Sequence, residues 1–351
     1  MLYRNMIESI GNTPLVQLHL DEQARGSVYA KLELLNPFGM KDRVARRTIL
    51  EARRTGILRE GSPIIESSSG TMALGVALVG TSLGHEVHIV TDPRIDPVTL
   101  AKLQATGCTV HIVEKMTSHG WQSARLEKLQ ELLTHYPGAF WPQQYENINN
   151  PRAYEDLACE LLADLGRVDV LVASVGSGGS LSGTARMLRR SNADLRVVAV
   201  DAVGSAIFGQ PDSPGRLQGG LGNSLIPPNV DHTLVDEVHW LNDAEAFAAT
   251  LALAANEKIF AGNSSGSTYA VARWLSRCVS PGTRIVAIFA DRGDRYAHTI
   301  YNQAYRREKG LPAMELLNTP PAQVSAHTVV TSWSFASLKE ERERAQPTLV
   351  H

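Results

Sequence analysis

Leu35-Asn36-Pro37-Phe38-Gly39-Met40-Lys41-Asp42-Arg43 ends an extended, apolar run and opens a long amphipathic segment. Pro37 biases Asn36 toward extended geometry, and Gly39 accepts backbone angles that other residues avoid. The stretch therefore predicts a strand, a tight bend and a helix, with Lys41 in the bend. A lysine held at a helix start and shielded from water has a lowered pKa. It can then act as a free amine toward an aldehyde. The ordinary alternative is a solvated surface lysine.

Outward from this bend, short β-branched runs alternate with helical patterns along most of the chain. Strands are predicted at 28–34, 63–67, 87–91, 110–113, 168–173, 197–201 and 284–290. Helices are predicted over 43–55, 72–83, 97–106, 121–134, 151–165, 181–190, 244–257 and 267–277. Most of the strand runs are continuously apolar, as in strands covered on both faces. Their alternation with helices predicts an α/β fold of doubly wound, mainly parallel sheets. The 351 residues suffice for two domains. The polar, proline-containing segment 136–150 reads as a crossing between two lobes. From Leu311 the pattern fades, so the tail, with a charged helix-like piece at 338–344, is expected to be a surface or oligomer-contact appendage rather than a core element.

Composition narrows the function classes. With 43% apolar and 20% charged residues and a net charge of −2, nothing suggests nucleic acid or an anionic membrane as partner. Cys108, Cys159 and Cys278 lie far apart in no metal-binding spacing, which predicts a reducing compartment. The N-terminus lacks a basic-then-apolar signal and no apolar run reaches membrane-spanning length, so a soluble cytoplasmic protein is expected, with no metal. The histidines of Gly84-His85-Glu86-Val87-His88 read as surface residues.

In doubly wound folds ligands bind beyond the carboxyl ends of the strands, and three loops there are unusual. The run Ser67-Ser68-Ser69-Gly70-Thr71 leads straight into a helix; it can bind an anion such as a substrate carboxylate, or simply cap the helix. Gly176-Ser177-Gly178-Gly179-Ser180 also joins a strand to a helix. It fails the dinucleotide fingerprint at Leu181 and has no Walker lysine, so it reads as a monophosphate cradle in preference to a flexible turn. Gly262-Asn263-Ser264-Ser265-Gly266-Ser267 offers hydroxyls to a heteroaromatic nitrogen, or to a helix N-terminus. A bend lysine, a carboxylate loop, a phosphate cradle and a serine-lined ring pocket together suggest pyridoxal phosphate.

Here the chain resembles the fold-type II pyridoxal-phosphate enzymes, the cysteine synthase and cystathionine β-synthase family. The resemblance runs from about Ile7 to Tyr305. It rests on Gly11-Asn12-Thr13-Pro14-Leu15, Lys31-Leu32-Glu33, Asn36-Pro37, Lys41-Asp42-Arg43, the 176–180 loop, Gly220-Leu221-Gly222 and Ile226-Pro227. Ala199-Val200-Asp201-Ala202, Gly204-Ser205, Ile207-Phe208-Gly209, Ile259-Phe260-Ala261-Gly262 and Asp291-Arg292-Gly293-Asp294-Arg295-Tyr296 look like the branch that makes N-(2-amino-2-carboxyethyl)-L-glutamate for 2,3-diaminopropionate, in siderophore and antibiotic biosynthesis.

The resemblance implies a tryptophan-synthase-β-like pair of domains: 1–42 joining the larger domain, 43–148 a smaller substrate-carboxylate domain, 149–312 the larger cofactor domain, and 313–351 an appendage. It implies that Lys41 forms the internal aldimine and removes the α-proton. Gly176, Ser177, Gly178, Gly179 and Ser180 would hold the cofactor phosphate, and Ser264 the pyridine nitrogen. A neutral hydroxyl there makes the ring a weaker electron sink, suited to β-elimination and replacement. O-phospho-L-serine and L-glutamate would react ping-pong through an α-aminoacrylate. Substrate would meet Ser67, Ser68, Ser69, Gly70, Gln144, Tyr145 and Gly220, although Gln144 and Tyr145 could equally serve packing. Thr71 departs from the family's usual asparagine, which contacts the cofactor's ring hydroxyl. Arg292, where cysteine synthases usually carry serine, is a candidate for an anionic substrate group, or else a structural partner of Asp291 or Asp294. His119, before Gly120, is a further candidate. A homodimer and a pathway partner, an NAD-dependent oxidative enzyme, are also implied. The competing readings are a cysteine synthase using O-acetyl- or O-phosphoserine with sulfide, a direct 2,3-diaminopropionate synthase using ammonia, and a non-catalytic cofactor-binding subunit.

Overall fold

The computed structural model describes residues 2–118, 120–213, 215–311 and 320–345; His119 lies outside them, as does part of the expected appendage. Strands β1 (Leu15–Gln17) and β2 (Ser27–Lys31) precede the bend, and α1 (Lys41–Arg54) follows it. Next come β3 (Ile64–Ser67), α2 (Thr71–Ser82), β4 (Val87–Thr91), α3 (Pro97–Ala105), β5 (Thr109–Ile112) and α4 (Trp121–His135). The chain continues through α5 (Asn149–Arg152), α6 (Glu155–Leu165), β6 (Val170–Ser174), α7 (Gly179–Ser191), β7 (Arg196–Ala202), β8 (Glu237–Leu241), α8 (Asp243–Glu257), α9 (Asn263–Cys278) and β9 (Arg284–Ile288). It ends with α10 (Gln303–Glu308), β10 (Ala322–Gln323), β11 (Ser334–Ser337) and α11 (Leu338–Ala345).

These strands form two sheets. One has eight strands in the order β1-β2-β9-β6-β7-β8-β11-β10, and the other has β3-β4-β5. All pairs from β2 to β8 in the large sheet are parallel, as is the small sheet, and among the described strands β1–β2 and β8–β11 pair antiparallel. The continuous apolar runs have the predicted cause. On β6, Val170 and Val172 enter the core under α9, while Leu171 and Ala173 enter the opposite core under α6 and α7. The small sheet is likewise covered twice, by α2 on one face and by α4 through Leu129 and Leu132 on the other. Helix α2 lies so close that a Cβ on Gly80 would stand 2.6 Å from Val87.

Three expectations need correction. The histidines of β4's approach are buried, not exposed, because β4 is the central strand of its sheet: His85 Nδ1 meets the Ser62 carbonyl at 2.8 Å and His88 Nδ1 meets His111 Nε2 at 3.0 Å. β8 and its alternating run were absent from the predicted strands. The tail is also no mere appendage. β11 pairs antiparallel with β8 over Ser334–Ser337, and Val330, Trp333 and Ala336 are buried. Trp333 Nε1 donates to His239 Nδ1 at 3.1 Å, and Phe335 stacks on the same imidazole. The described tail therefore covers an edge strand that would otherwise expose Trp240 and unpaired backbone groups.

Candidate active site

Lys41 is the first residue of α1, and a buried ionic lattice fixes the bend before it. Arg43 donates to Glu33 through Nε at 2.7 Å and Nη2 at 2.8 Å, and to both carboxylate oxygens of Glu160 at 2.8 Å. Lys31 Nζ meets Glu160 at 2.7 Å, Thr13 Oγ1 donates to Glu33 at 2.6 Å, and Asn36 joins Glu33 to the Gly11 amide. Two cations face two carboxylates, so the charge closes on itself. Burial alone would raise the Glu160 pKa, but Arg43 and Lys31 outweigh it and hold it at about 2. Gly39 takes φ 139°, and a Cβ there would sit 3.2 Å from the Ala290 carbonyl, which accepts from Met40 N at 2.9 Å. The side chain of Asp42 caps the turn from within, accepting from Phe38 N at 2.7 Å.

The bend delivers Lys41 into a cleft at the carboxyl ends of β3 and β6. Its Nζ donates to Ser177 Oγ at 2.8 Å, and burial lowers its pKa to about 8. Ser67, Ser68, Ser69, Gly70 and Thr71 line one wall, and Gln144 and Tyr145 another. Gly176, Ser177, Ser180, Gly220 and Ser264 line the floor. Gly178 and Gly179 complete the turn into α7. A Cβ on Gly178 would stand 2.5 Å from Val230, and one on Gly179 would stand 1.9 Å from Asn150, so that turn admits nothing larger than glycine.

The residues present fit pyridoxal phosphate. The glycine turn at the start of the thirteen-residue α7 leaves backbone N–H groups for a phosphate. Ser264 Oγ is buried without a hydrogen-bond partner, an orphan that a ring nitrogen would satisfy. Lys41 supplies the amine.

Arg292 does not line this cleft. Its Nε donates to the Leu34 carbonyl at 2.9 Å and its Nη2 contacts the Asn36 carbonyl at 3.4 Å, so it ties the bend from behind, and its charge helps to lower the Asp294 pKa without a direct ion pair. Two other arginines, neither marked by a local motif as a site residue, do line it. Arg125 of α4 donates to Ser69 Oγ at 2.5 Å and lies 3.3 Å from Asp92. Arg295, in the 3-10 turn Gly293–Tyr296, donates to Asp291 at 3.1 Å and stands 3.6 Å from Asp96. A Cβ on Gly70 would lie 3.4 Å from its guanidinium. Asp291 also accepts from Tyr296 OH at 2.9 Å; burial raises its pKa against the pull of Arg295. The cleft thus joins one buried amine, a glycine turn at a helix start and two guanidiniums beside the serine loop.

A family model described as pyridoxal-phosphate dependent enzyme matches residues 6–291. The chain is similar to the N-(2-amino-2-carboxyethyl)-L-glutamate synthase of Cupriavidus metallidurans, 39% identical over 342 residues that cover 93% of this chain and 100% of the relative. It is 39% identical over 314 residues to the protein of the same description from Ralstonia nicotianae, covering 87% of this chain and 91% of that one. Among solved structures it is similar to a hydrogen sulfide-producing enzyme from Fusobacterium nucleatum, with 31% identity and a TM-score of 0.80 over 84% of this chain and 98% of the other.

Proposed function

The chain belongs to the pyridoxal-phosphate dependent enzymes, and from that premise we propose that it replaces the β-substituent of O-phospho-L-serine with the amine of L-glutamate, forming N-(2-amino-2-carboxyethyl)-L-glutamate and phosphate. The observation that carries this reading is the 39% identity to two synthases of that description over nearly the whole chain. When bound, the cofactor supplies an electron sink conjugated to the substrate α-carbon. Lys41 Nζ, neutral above about pH 8, takes the α-proton. The turn at 67–71 holds the substrate carboxylate at the start of α2, and the smaller sheet's lobe thereby reads the amino acid. Gly176, Ser177, Gly178, Gly179 and Ser180 hold the phosphate of the cofactor, and Ser264 presents a neutral hydroxyl to its ring nitrogen. Thr71 faces the cleft with a shorter hydrogen-bonding oxygen than the asparagine it replaces. Tyr145 and Gln144 close the wall opposite, with Gly220 on the floor.

Arg125 is the group best placed to receive the departing phosphate, since its guanidinium already stands on Ser69 of the substrate loop. On the same reading the protein works in the cytoplasm as a homodimer. Its product passes to an NAD-dependent oxidative enzyme in siderophore or antibiotic assembly. Among the described residues no helix is long and apolar enough to cross a membrane.

The test is phosphate release from phosphoserine under multiple turnover. Sustained release is expected only with glutamate present, one phosphate per adduct. Arg125→Ala should raise KM for phosphoserine about 10- to 100-fold, the effect of losing a charge-assisted bond, and should erase the preference for phosphoserine over O-acetylserine. Sustained release without any amine, or an unchanged leaving-group preference, would count against the reading.

A further inference from the structure

Ser177 lies in a hydrogen-bond pattern that decides where its own proton points. Its Oγ accepts from Lys41 Nζ at 2.8 Å and from Asn150 Nδ2 at 3.0 Å. A hydroxyl has two acceptor lone pairs and one proton, so with both lone pairs engaged the O–H is directed away from Lys41 and Asn150. The amide of Asn150 has one possible orientation. Its Nδ2 also donates to the Gln144 carbonyl at 2.5 Å, and a carbonyl can only accept. Asn229 Nδ2 reaches the same carbonyl at 3.2 Å. Asn150 is wholly buried, and its Oδ1 has no partner and lies where a side chain on Gly179 would have to stand.

We propose that Asn150 is a positioning residue for the cofactor phosphate: it holds Ser177 as an acceptor, so that the Ser177 proton is donated into the cradle. With the cofactor bound, Lys41 would be drawn away from Ser177 and one lone pair would be freed. Asn150 then remains as the donor that maintains the orientation. Its second contact ties the cradle to the Gln144–Tyr145 wall, so cofactor and substrate walls share one buried amide. The inference rests on the cofactor assignment and is independent of which amine is the nucleophile.

The experiment titrates apo protein with pyridoxal phosphate in the absence of any amino acid, reading cofactor fluorescence. Asn150→Ala should raise Kd about tenfold, the loss expected for one oriented hydrogen bond to a charged group. Asn150→Asp, whose carboxylate would draw the Ser177 proton to itself, should raise it further. In a Ser177→Ala background the Asn150→Ala change should shift Kd less than about twofold, because the hydroxyl it orients is gone. Melting of each apo variant checks the fold, and Asn150→Ser takes the place of Asn150→Ala in the cycle if the alanine protein does not fold. A Kd within about twofold of wild type for Asn150→Ala, or equal losses in both backgrounds, would overturn the proposal. A wrong nucleophile leaves every one of these readings unchanged, whereas wild-type protein that bound no cofactor would overturn this proposal and the proposed function together.

Discussion

On the proposed function Lys41 owes its reactivity to its surroundings, and its titration is the first consequence. Its folded pKa of about 8 lies below the ordinary lysine value of 10.5, because burial disfavours the ammonium. The neutral amine is therefore present above about pH 8, and the rate of cofactor capture by apo protein should rise through pH 8 and level off well before 10.5. A rise that continued to pH 10 would mean a solvated lysine. The same depression means that the unfolded chain binds the proton more tightly, so this residue adds stability as pH climbs from about 8 to 10.5. Behind Lys41, Arg43→Met would strip the buried Glu33 of its guanidinium partner and leave the half-buried Glu160 with Lys31 alone. The cost should be about 3–5 kcal/mol in urea unfolding, with cofactor affinity falling alongside. At this scale the sequence was legible in part. Glycine, asparagine and proline mark a bend whatever surrounds it, so Lys41 could be found. Lys31, Glu33 and Arg43 were visible as a motif, but only the fold shows that they neutralise one another. Arg292 and Arg295 sit three positions apart in one short turn, and local sequence carries no sign of which one enters the cleft.

Among the elements, the strand-to-helix turns at β3–α2 and β6–α7 were readable because small residues there have few other uses. β8 and β11 were not. Glu237-Val238-His239-Trp240-Leu241 mixes charge and aromatic residues, and its burial depends on a strand nearly a hundred positions later in the chain. That contact has a pH dependence. Burial lowers the His239 pKa below 6.5, with Glu237 opposing, and Trp333 donates to the nitrogen that would have to be protonated. The unfolded state takes up the proton first as pH falls through 6.5, so acidification removes stability. The melting temperature should drop between pH 7.5 and 5.5, and His239→Phe should flatten that slope. An unchanged slope in the variant would assign the dependence to other groups. Cutting the chain after Gly310 should expose the β8 edge and produce a less stable, aggregating protein.

At the scale of the whole molecule, the cleft exists because two sheets present their carboxyl ends to each other. Lys102 of α3 pairs with Asp294, and Arg295 stands between Asp96 and Asp291, so the lobes are joined at the cleft mouth by charges from both. Lys102→Glu or Asp294→Lys alone should raise substrate KM a few-fold with a smaller effect on kcat, as suits a partly exposed pair, and the charge-swapped double variant should recover. No recovery would mean that the pair does not hold the lobes. The parallel, doubly wound architecture was evident from periodicity, because apolar strands alternating with helices have few other solutions. The crossing at 136–150 was visible too, but its use was not: Phe140 pairs with the edge of β3 and so brings Gln144 and Tyr145 to the cleft. What the periodicity could not carry is the nucleophile, since the order of strands and helices does not distinguish an amine from sulfide. The most direct measurement is therefore a competition. Cofactor-loaded protein is given phosphoserine with equal concentrations of L-glutamate, sulfide and ammonia, and initial rates are read by mass spectrometry. N-(2-amino-2-carboxyethyl)-L-glutamate should form fastest, and cysteine or 2,3-diaminopropionate forming faster would contradict the account.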